Sequence, residues 1–156
     1  MTYSTETQHN DCLFCRIVRG AAPAQIVHQD DKLVAFLDIH PIRPGHLQIV
    51  PREHYPYFDD LPPELSAATI HLGQRLAQAL KRTEKVRRVS FCFTGGDVAH
   101  AHAHIVPLHA PTDITSRRYI AEEQLTFRPT PRIPDAELAA RAERLRAEFA
   151  ALPPRL

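Results

Sequence analysis

The chain has 156 residues, of which 44% are hydrophobic and 24% charged, as is ordinary for one globular domain with a buried core. Its formal charge of +1 argues against a dedicated nucleic-acid or membrane surface, and no apolar run is long enough to span a bilayer. Three cysteines, and no apolar signal-peptide core at the N-terminus, predict reduced thiols in the cytoplasm and no export.

The first third of the chain predicts a short helix followed by three strands. Residues 1–10 are polar and are expected to be flexible. The stretch DCLFCRIVRG then predicts a short helix, with Asp11 as its N-cap and Gly20 just past its end. Two apolar runs, AQIVHQ and KLVAFLDI, flank an acidic pair and predict a hairpin, and HLQIVP predicts a third strand.

Two amphipathic helices and two further strands are predicted in the rest of the chain. The stretch PPELSAATIHLGQRLAQALKRTEK spaces its leucines and alanines by three and four residues, which is typical of a helix with one buried face. RVSFCF and HAHIVPL predict the fourth and fifth strands, and a last helix is expected with Asp135 as its N-cap. Because strands and helices mix without regular βαβ units, we expect an α+β domain with a mainly antiparallel sheet.

The stretch HAHAH is the most unusual feature of the sequence. Side chains alternate between the two faces of a strand, so His100, His102 and His104 are expected on one side. Three uses of this face are open: the imidazoles chelate a metal, one is a nucleophile whose neighbours polarise its pocket, or they form a polar face without chemistry. A free imidazole is largely neutral at pH 7, so it can attack phosphorus without a separate base.

A second group of metal-binding residue types lies upstream. Cys12 and Cys15 form a C-x-x-C pair in the first predicted helix, and His54 follows the third strand. With His100, these two thiols and two neutral imidazoles make a suitable tetrahedral set for structural zinc. The alternative is that the cysteines are two ordinary reduced thiols. If zinc takes all four residues, the other triad histidines stay available for catalysis.

The chain resembles the histidine triad (HIT) family. Three stretches carry the resemblance, in the expected order: CLFCRIVRG, VAFLDIHPIRPGHLQIVPREHY and VAHAHAHIVPL. The resemblance implies a HIT-like fold with a five-stranded sheet, in which residues 11–110 form the domain core. Residues 111–156 are then a C-terminal extension whose helix packs on the same domain or on a dimer partner. The resemblance also implies a homodimer that binds a purine nucleotide.

The resemblance assigns roles to the histidines. His102 matches the family's nucleophile, which attacks the α-phosphorus of a nucleotide and forms a nucleotidyl-histidine that water then hydrolyses. His104 and His46 match residues that contact the phosphate, and no catalytic metal is required for this chemistry. In zinc-bearing members of the family, the ligands of a structural zinc ion match Cys12, Cys15, His54 and His100.

The resemblance also suggests where the nucleotide binds. Asp38 matches the residue that hydrogen-bonds the ribose hydroxyls, and Ile17 and Phe36 lie near positions that line the base pocket. The implied activity is hydrolysis or transfer at the α-phosphorus of purine nucleotide conjugates, with nucleoside phosphoramidates as the leading substrates. The alternatives are a dinucleoside polyphosphate hydrolase, a nucleotide-binding module with poor turnover, and a metal-dependent hydrolase with its ion on His102 and His104.

One loop departs from the family's pattern. The usual Gly-Gln-Ser/Thr-Val run before the triad is Gly95-Gly96-Asp97-Val98 in this chain. Gly96 and Val98 are still expected beside the nucleotide, but Gly96 lacks the amide that reaches the phosphate. Asp97 replaces a hydroxyl near the leaving group, where a protonated carboxyl can act as a general acid. The alternative is that Asp97 only caps the turn.

Overall fold

The computed structural model describes residues 12–96, 98–115, 120 and 129–153, so the flexible segment predicted at residues 1–10 lies outside the described residues. The described part contains three α-helices, one short 3₁₀-helix and five strands. In chain order these are α1 (Leu13–Val18), β1 (Ile26–Gln29), β2 (Leu33–Leu37), β3 (Leu47–Pro51), the 3₁₀-helix (Phe58–Asp60), α2 (Pro63–Thr83), β4 (Arg88–Phe93), β5 (Ala103–Leu108) and α3 (Asp135–Ala151).

The five strands form one antiparallel sheet in the order β1-β2-β3-β5-β4, which confirms the predicted α+β fold. The predicted hairpin joins β1 and β2. Its turn is stabilised by Asp30, whose carboxylate accepts hydrogen bonds from the amides of Lys32 and Leu33, both at 2.8 Å. The strand β5 pairs with both β3 and β4, so the histidine-rich stretch enters the sheet between two neighbours.

The two faces of the sheet are buried in different ways. One face and the apolar sides of α2 and α3 form the larger core, which includes Leu37, Ile49 and Ile105. The other face carries a smaller cluster in which α1 packs through Phe14 against Phe36 and neighbouring residues. Strand residues alternate between faces, and Ile105 points into the larger core. Its neighbour His104 therefore points to the opposite face, which carries the smaller cluster.

The long helix α2 lies close to the sheet over β4. A Cβ atom added at Gly73 would come within 2.6 Å of the Phe91 ring, so only glycine fits at this crossing. The predicted apolar stripe of α2 is confirmed, since Leu72, Leu76 and Leu80 are all buried. On α3, Leu138 and three further residues of its apolar side are buried against the same core. The division of the chain at residue 110 stays a prediction.

Two predicted helix caps need correction. The N-cap of α3 is Pro134 and not Asp135, which is the first helical residue and forms an ion pair with Arg132. Proline fits this position because its fixed φ suits the residue that precedes a helix and its missing N–H is not needed there. The proposed cap Asp11 lies outside the described residues, and the N-cap of α1 is Cys12, whose sulfur accepts from the amide of Cys15.

The fifth strand begins later than predicted. It starts at Ala103, so of the three triad histidines only His104 lies within the strand. The amide of His100 donates to the carbonyl of Val98 at 2.8 Å in a bend, instead of joining the sheet ladder. The expectation of three imidazoles on one strand is therefore wrong. The bend directs His100 to Cys12 and Cys15 at the start of α1, while the ring of His102 stays next to that of His104.

The third cysteine, Cys92, belongs to neither of the two apolar clusters. It is half-buried in β4 and lies opposite His104 in the antiparallel register, on the face away from α2. Burial nevertheless raises the pKa of the Cys92 thiol. Within the described ranges, no helix combines the length and the apolar character needed to cross a bilayer.

Candidate active site and metal-ligand cluster

His102 occupies a buried position just before β5, with 6% of its surface exposed. Its Nδ1 lies 2.7 Å from the carbonyl oxygen of His100, which can only accept a hydrogen bond, so Nδ1 carries the proton. The lone pair of the ring is therefore on Nε2. The ring of Phe14 contacts the His102 ring edge-on at 5.1 Å between centroids, which limits its rotation.

His46 and His104 belong to a chain of hydrogen bonds that determines where their protons are. The amide of Ile42 donates to Nδ1 of His46 at 3.2 Å, so the proton of His46 is on Nε2. That nitrogen donates to Nδ1 of His104 at 2.9 Å, which leaves Nε2 of His104 as a donor to the Thr94 hydroxyl at 3.1 Å. The chain therefore ends in an N–H group on the side of the loop before the triad.

The surroundings of these two rings favour their neutral forms. Burial, together with the neighbouring His46 and His102, lowers the pKa of His104 to about 4, although Asp38 acts in the opposite direction. Burial also lowers the pKa of His46, again opposed by Asp38. At neutral pH, both rings are therefore uncharged and keep the directional hydrogen bonds described above.

Asp38 lies directly after β2 and stabilises the loop that carries His46. One carboxylate oxygen accepts from the amide of His40 at 2.7 Å, and the other accepts from the side-chain amide of Gln48 at 2.7 Å. The second oxygen also lies 3.7 Å from Nδ1 of His46, which is too long for a hydrogen bond. The carboxylate is thus held in one orientation, with accepting capacity left on each oxygen.

The predicted base-pocket residues lie together. Ile17 of α1 and Phe36 of β2 are both buried in the smaller apolar cluster, and Val98 packs against it. Gly96 is exposed in the loop before the triad. Asp97 lies outside the described residues, so its predicted role as a general acid stays a prediction.

The four residues predicted to bind zinc come together at the N-terminus of α1. Nδ1 of His100 lies 3.4 Å from the sulfurs of both Cys12 and Cys15, and Nδ1 of His54 lies 3.3 Å from the sulfur of Cys15. All four ligand atoms are within 4.8 Å of one another. Nε2 of His100 faces the carbonyl oxygen of Pro51 at 3.0 Å, which leaves Nδ1 unprotonated and directed at the sulfurs.

These distances fit a tetrahedral zinc ion. Bonds of about 2.0 Å to nitrogen and 2.3 Å to sulfur place tetrahedral ligand atoms roughly 3.3 to 3.8 Å apart. Without an ion, burial and the neighbouring Cys12 sulfur raise the pKa of the Cys15 thiol to about 11. A zinc ion reverses this preference, because a coordinating thiol loses its proton. The four side chains, with His100 oriented by the carbonyl of Pro51, therefore form a group that could hold a metal ion.

Asp38, His46 and His104 form a second group whose potential ligand atoms lie within 4.8 Å of one another. The hydrogen-bond chain accounts for both nitrogens of each ring in this group. The group does not include His102, so it differs from the pair of triad histidines considered for a catalytic metal.

Two residues of the site were not identified from the sequence. Phe14 packs against His102. In the sequence it cannot be distinguished from any other apolar residue of a helix, because its contact with the triad arises only when the chain folds. Gln48 offered a clearer signal, because it is a polar residue in an otherwise apolar strand. It lies opposite His104 in the register and donates to Asp38, so it joins the two parts of the site.

Comparison with known proteins identifies the family to which this domain belongs. The family model described as the HIT domain matches residues 19–110, more than half of the chain. An uncharacterized HIT-like protein of Methanocaldococcus jannaschii is 34% identical over 100 residues, which cover 62% of this chain and 78% of the relative. The adenylylsulfatase HINT3 of Arabidopsis thaliana is 32% identical over 108 residues, which cover 66% of this chain and 55% of that protein.

A solved structure extends the likeness to the fold. The Zn-bound histidine triad family protein from Mycobacterium smegmatis is 30% identical and superposes with a TM-score of 0.70. The superposition covers 91% of this chain and 95% of the other.

Proposed function

The chain belongs to the histidine triad family, and from this premise we propose that it hydrolyses purine nucleotide conjugates at the α-phosphorus. Nucleoside phosphoramidates are the leading substrate class. The observation that carries the proposal is the hydrogen bond from Nδ1 of His102 to the carbonyl of His100, because it leaves the lone pair on Nε2. That nitrogen is the nucleophile that the reaction needs.

The proposed reaction has two steps. In the first, Nε2 of His102 attacks the α-phosphorus, the phosphorus–nitrogen bond breaks, and the amine leaves with the electron pair and takes up a proton. In the second, water attacks phosphorus and gives up a proton to the solvent, which balances the proton that the amine took from the solvent in the first step; Nε2 leaves with the electron pair of its bond to phosphorus, and the nucleoside monophosphate is released. Dividing the displacement in this way replaces one difficult step by two easier ones.

The neighbouring residues support this reaction in distinct ways. The Nε2–H group of His104 donates to Thr94 in the free protein, and a phosphoryl oxygen can take the place of that hydroxyl. A hydrogen-bond donor that is already oriented before the reaction stabilises the negative charge that develops on this oxygen. His46 holds His104 in the required tautomer, and Asp38 offers its remaining lone pairs to the ribose hydroxyls. Ile17 and Phe36 provide an apolar surface for the base.

We further propose that a structural zinc ion joins Cys12, Cys15, His54 and His100. The ligand distances and the hydrogen bond from His100 to Pro51 support this assignment. The ion would connect α1 to the triad without taking part in bond cleavage. Reduced cysteines are required as ligands, which favours the cytoplasm as the compartment.

The direct test is product analysis with purified protein. Adenosine phosphoramidate, a diadenosine polyphosphate and adenylyl sulfate form the substrate panel, the last because one relative is named an adenylylsulfatase. We expect AMP to be released fastest from the phosphoramidate. The variant His102→Ala should reduce the rate by at least about a thousandfold, since it removes the nucleophile. His109→Ala, at an exposed histidine outside the site, is the matched control.

A nucleotide-binding module with poor turnover is the second candidate. It is favoured by Gly96, which provides no side-chain amide for the phosphate. This candidate predicts tight binding of AMP, measured by calorimetry, together with AMP release no faster than in His102→Ala. Release clearly above that variant excludes it.

We also propose that the protein is a homodimer. The strand β4 is at the edge of the sheet, with one row of backbone groups free of a neighbouring strand within the described chain. Phe91 of this strand is 38% exposed, so a second chain would cover apolar as well as polar surface. Sedimentation equilibrium at micromolar concentration distinguishes a dimer from a monomer.

A further inference from the structure

A cavity of about 170 Å³ lies beside the triad, and the roles assigned above do not use it. His102 forms part of its lining, as do residues 56–59, which follow the third strand. Thr94 also lines it, and the hydroxyl of Thr94 is the group that Nε2 of His104 contacts at 3.1 Å. The cavity therefore adjoins both the proposed nucleophile and the donor proposed to bind the phosphoryl oxygen.

Three of the side chains that line the cavity are aromatic rings of Tyr or Phe: Tyr57, Phe58 and Phe93. The rings of Phe58 and Phe93 contact each other with their centroids 5.6 Å apart, and Tyr57 lies next to them. Phe58 is 57% exposed and Tyr57 is 49% exposed, although both are large apolar side chains. Exposed aromatic groups clustered around a cavity are characteristic of a surface that binds a ligand. An apolar cavity of about 150 Å³ accommodates one benzene ring, so this cavity has the size for a single ring.

One carboxylate stands at the rim of this aromatic cavity. Asp59 lines the cavity and makes no hydrogen bond or ion pair within the described part of the chain. Its neighbour Asp60 instead accepts from the amide of Tyr57 at 3.1 Å and thereby stabilises the turn. Asp59 is thus available to a positively charged group, and the adjacent aromatic faces also attract cations.

We propose that this cavity binds the leaving group, and that it selects a primary amine that bears one aromatic ring with a positive charge beyond the ring. The inference rests on the proposed function, since it needs attack by His102 on a nucleotide conjugate. When the phosphorus–nitrogen bond breaks, the amine takes the electron pair and a proton, and it departs from the aromatic walls. Phe58 then determines the preference for a ring, and Asp59 the preference for the distal charge.

The test compares three adenosine phosphoramidates, made from methylamine, from benzylamine, and from a benzylamine that carries an aminomethyl group at the para position. All three leaving groups are primary alkylamines, so the bond that breaks differs little. We expect kcat/KM to rise about tenfold with the ring and again with the distal charge. Phe58→Ala should remove most of the ring preference, and Asp59→Asn should remove only the charge preference. Ile70→Ala and Asp31→Asn, at exposed residues that do not line this cavity, are the matched controls.

The outcomes separate the two proposals. If the wild-type protein cleaves all three compounds with equal kcat/KM, or if its preferences survive in both variants, the leaving-group cavity is wrong while the proposed function stands. If none of the compounds yields AMP above the His102→Ala background, the proposed function fails and the cavity assignment fails with it. The comparison of substrates in the wild-type protein needs no variant, and the melting temperature of each variant verifies that it is folded.

Discussion

The proton positions in the site follow from backbone groups that cannot change their roles. The Ile42 amide can only donate, and the His100 carbonyl can only accept. These two groups determine the tautomers of His46 and His102, and His46 in turn determines that of His104. The histidines of this stretch therefore have distinct functions: His102 has a free lone pair on Nε2, and His104 has an N–H group that donates to Thr94.

The buried, neutral His104 predicts how stability depends on pH. In the unfolded chain, an imidazole binds a proton near pH 6.5, whereas burial lowers the pKa of His104 to about 4 in the folded protein. Between these two values the unfolded state binds more protons, so the free energy of unfolding falls as the pH is lowered from 6.5 to 4. His104→Gln should make this decrease shallower, measured by urea unfolding at several pH values.

The control for this prediction is His71→Gln, at an exposed histidine on α2. His46 contributes to the decrease in the same direction, because burial also lowers its pKa, so part of the slope remains in the His104 variant. An unchanged slope in His104→Gln would show that the ring is not held neutral by the fold.

At the scale of single elements, the C-terminal helix α3 is connected to the loop that carries His46. Arg141 of α3 forms a buried ion pair with Glu84, whose side chain is 8% exposed. The Glu84 side chain in turn lies so close to Gly45 that a Cβ atom there would be 3.0 Å away. Gly45 has a φ of +96°, which favours glycine, and it directly precedes His46.

The ion pair predicts a non-additive effect of mutation. Arg141→Met leaves the Glu84 carboxylate buried without its partner and should lower the free energy of unfolding by about 3 kcal/mol. Glu84→Met in the same protein removes the unpaired charge, so we expect the double variant to be more stable than Arg141→Met alone. Urea denaturation of both proteins measures the difference. A double variant that is no more stable than Arg141→Met would contradict the prediction.

The elements themselves could be predicted well because their signals are local. Alternation of apolar residues and the spacing of leucines on α2 located all five strands and the long helix to within a few residues. The bend at His100 could not be predicted this way, since HAHAH alternates like a strand. Its cause is a turn to Val98 and the contact with cysteines 85 and 88 residues away, which no local pattern contains.

For the molecule as a whole, the proposed zinc site joins distant parts of the chain, and this cross-link was predicted from the sequence. It brings together the start of α1, the segment after β3 and the bend before β5, with Cys12 and His100 separated by 88 residues. The same bend carries the carbonyl that orients His102. Binding of the ion should therefore stabilise the fold and, through that carbonyl, the nucleophile.

This arrangement predicts that removal of zinc lowers the stability of the fold and does not directly abolish the hydrolysis reaction. A chelator should lower the melting temperature by roughly 10 °C, since structural zinc contributes directly to folding free energy. Cys15→Ser should have a similarly low melting temperature and no longer respond to the chelator. Cys92→Ser changes a half-buried thiol outside the cluster, so its response should match that of the wild type. If the chelator instead abolished turnover without changing the melting temperature, the metal would be catalytic, and the assignment of His102 as nucleophile would have to be abandoned.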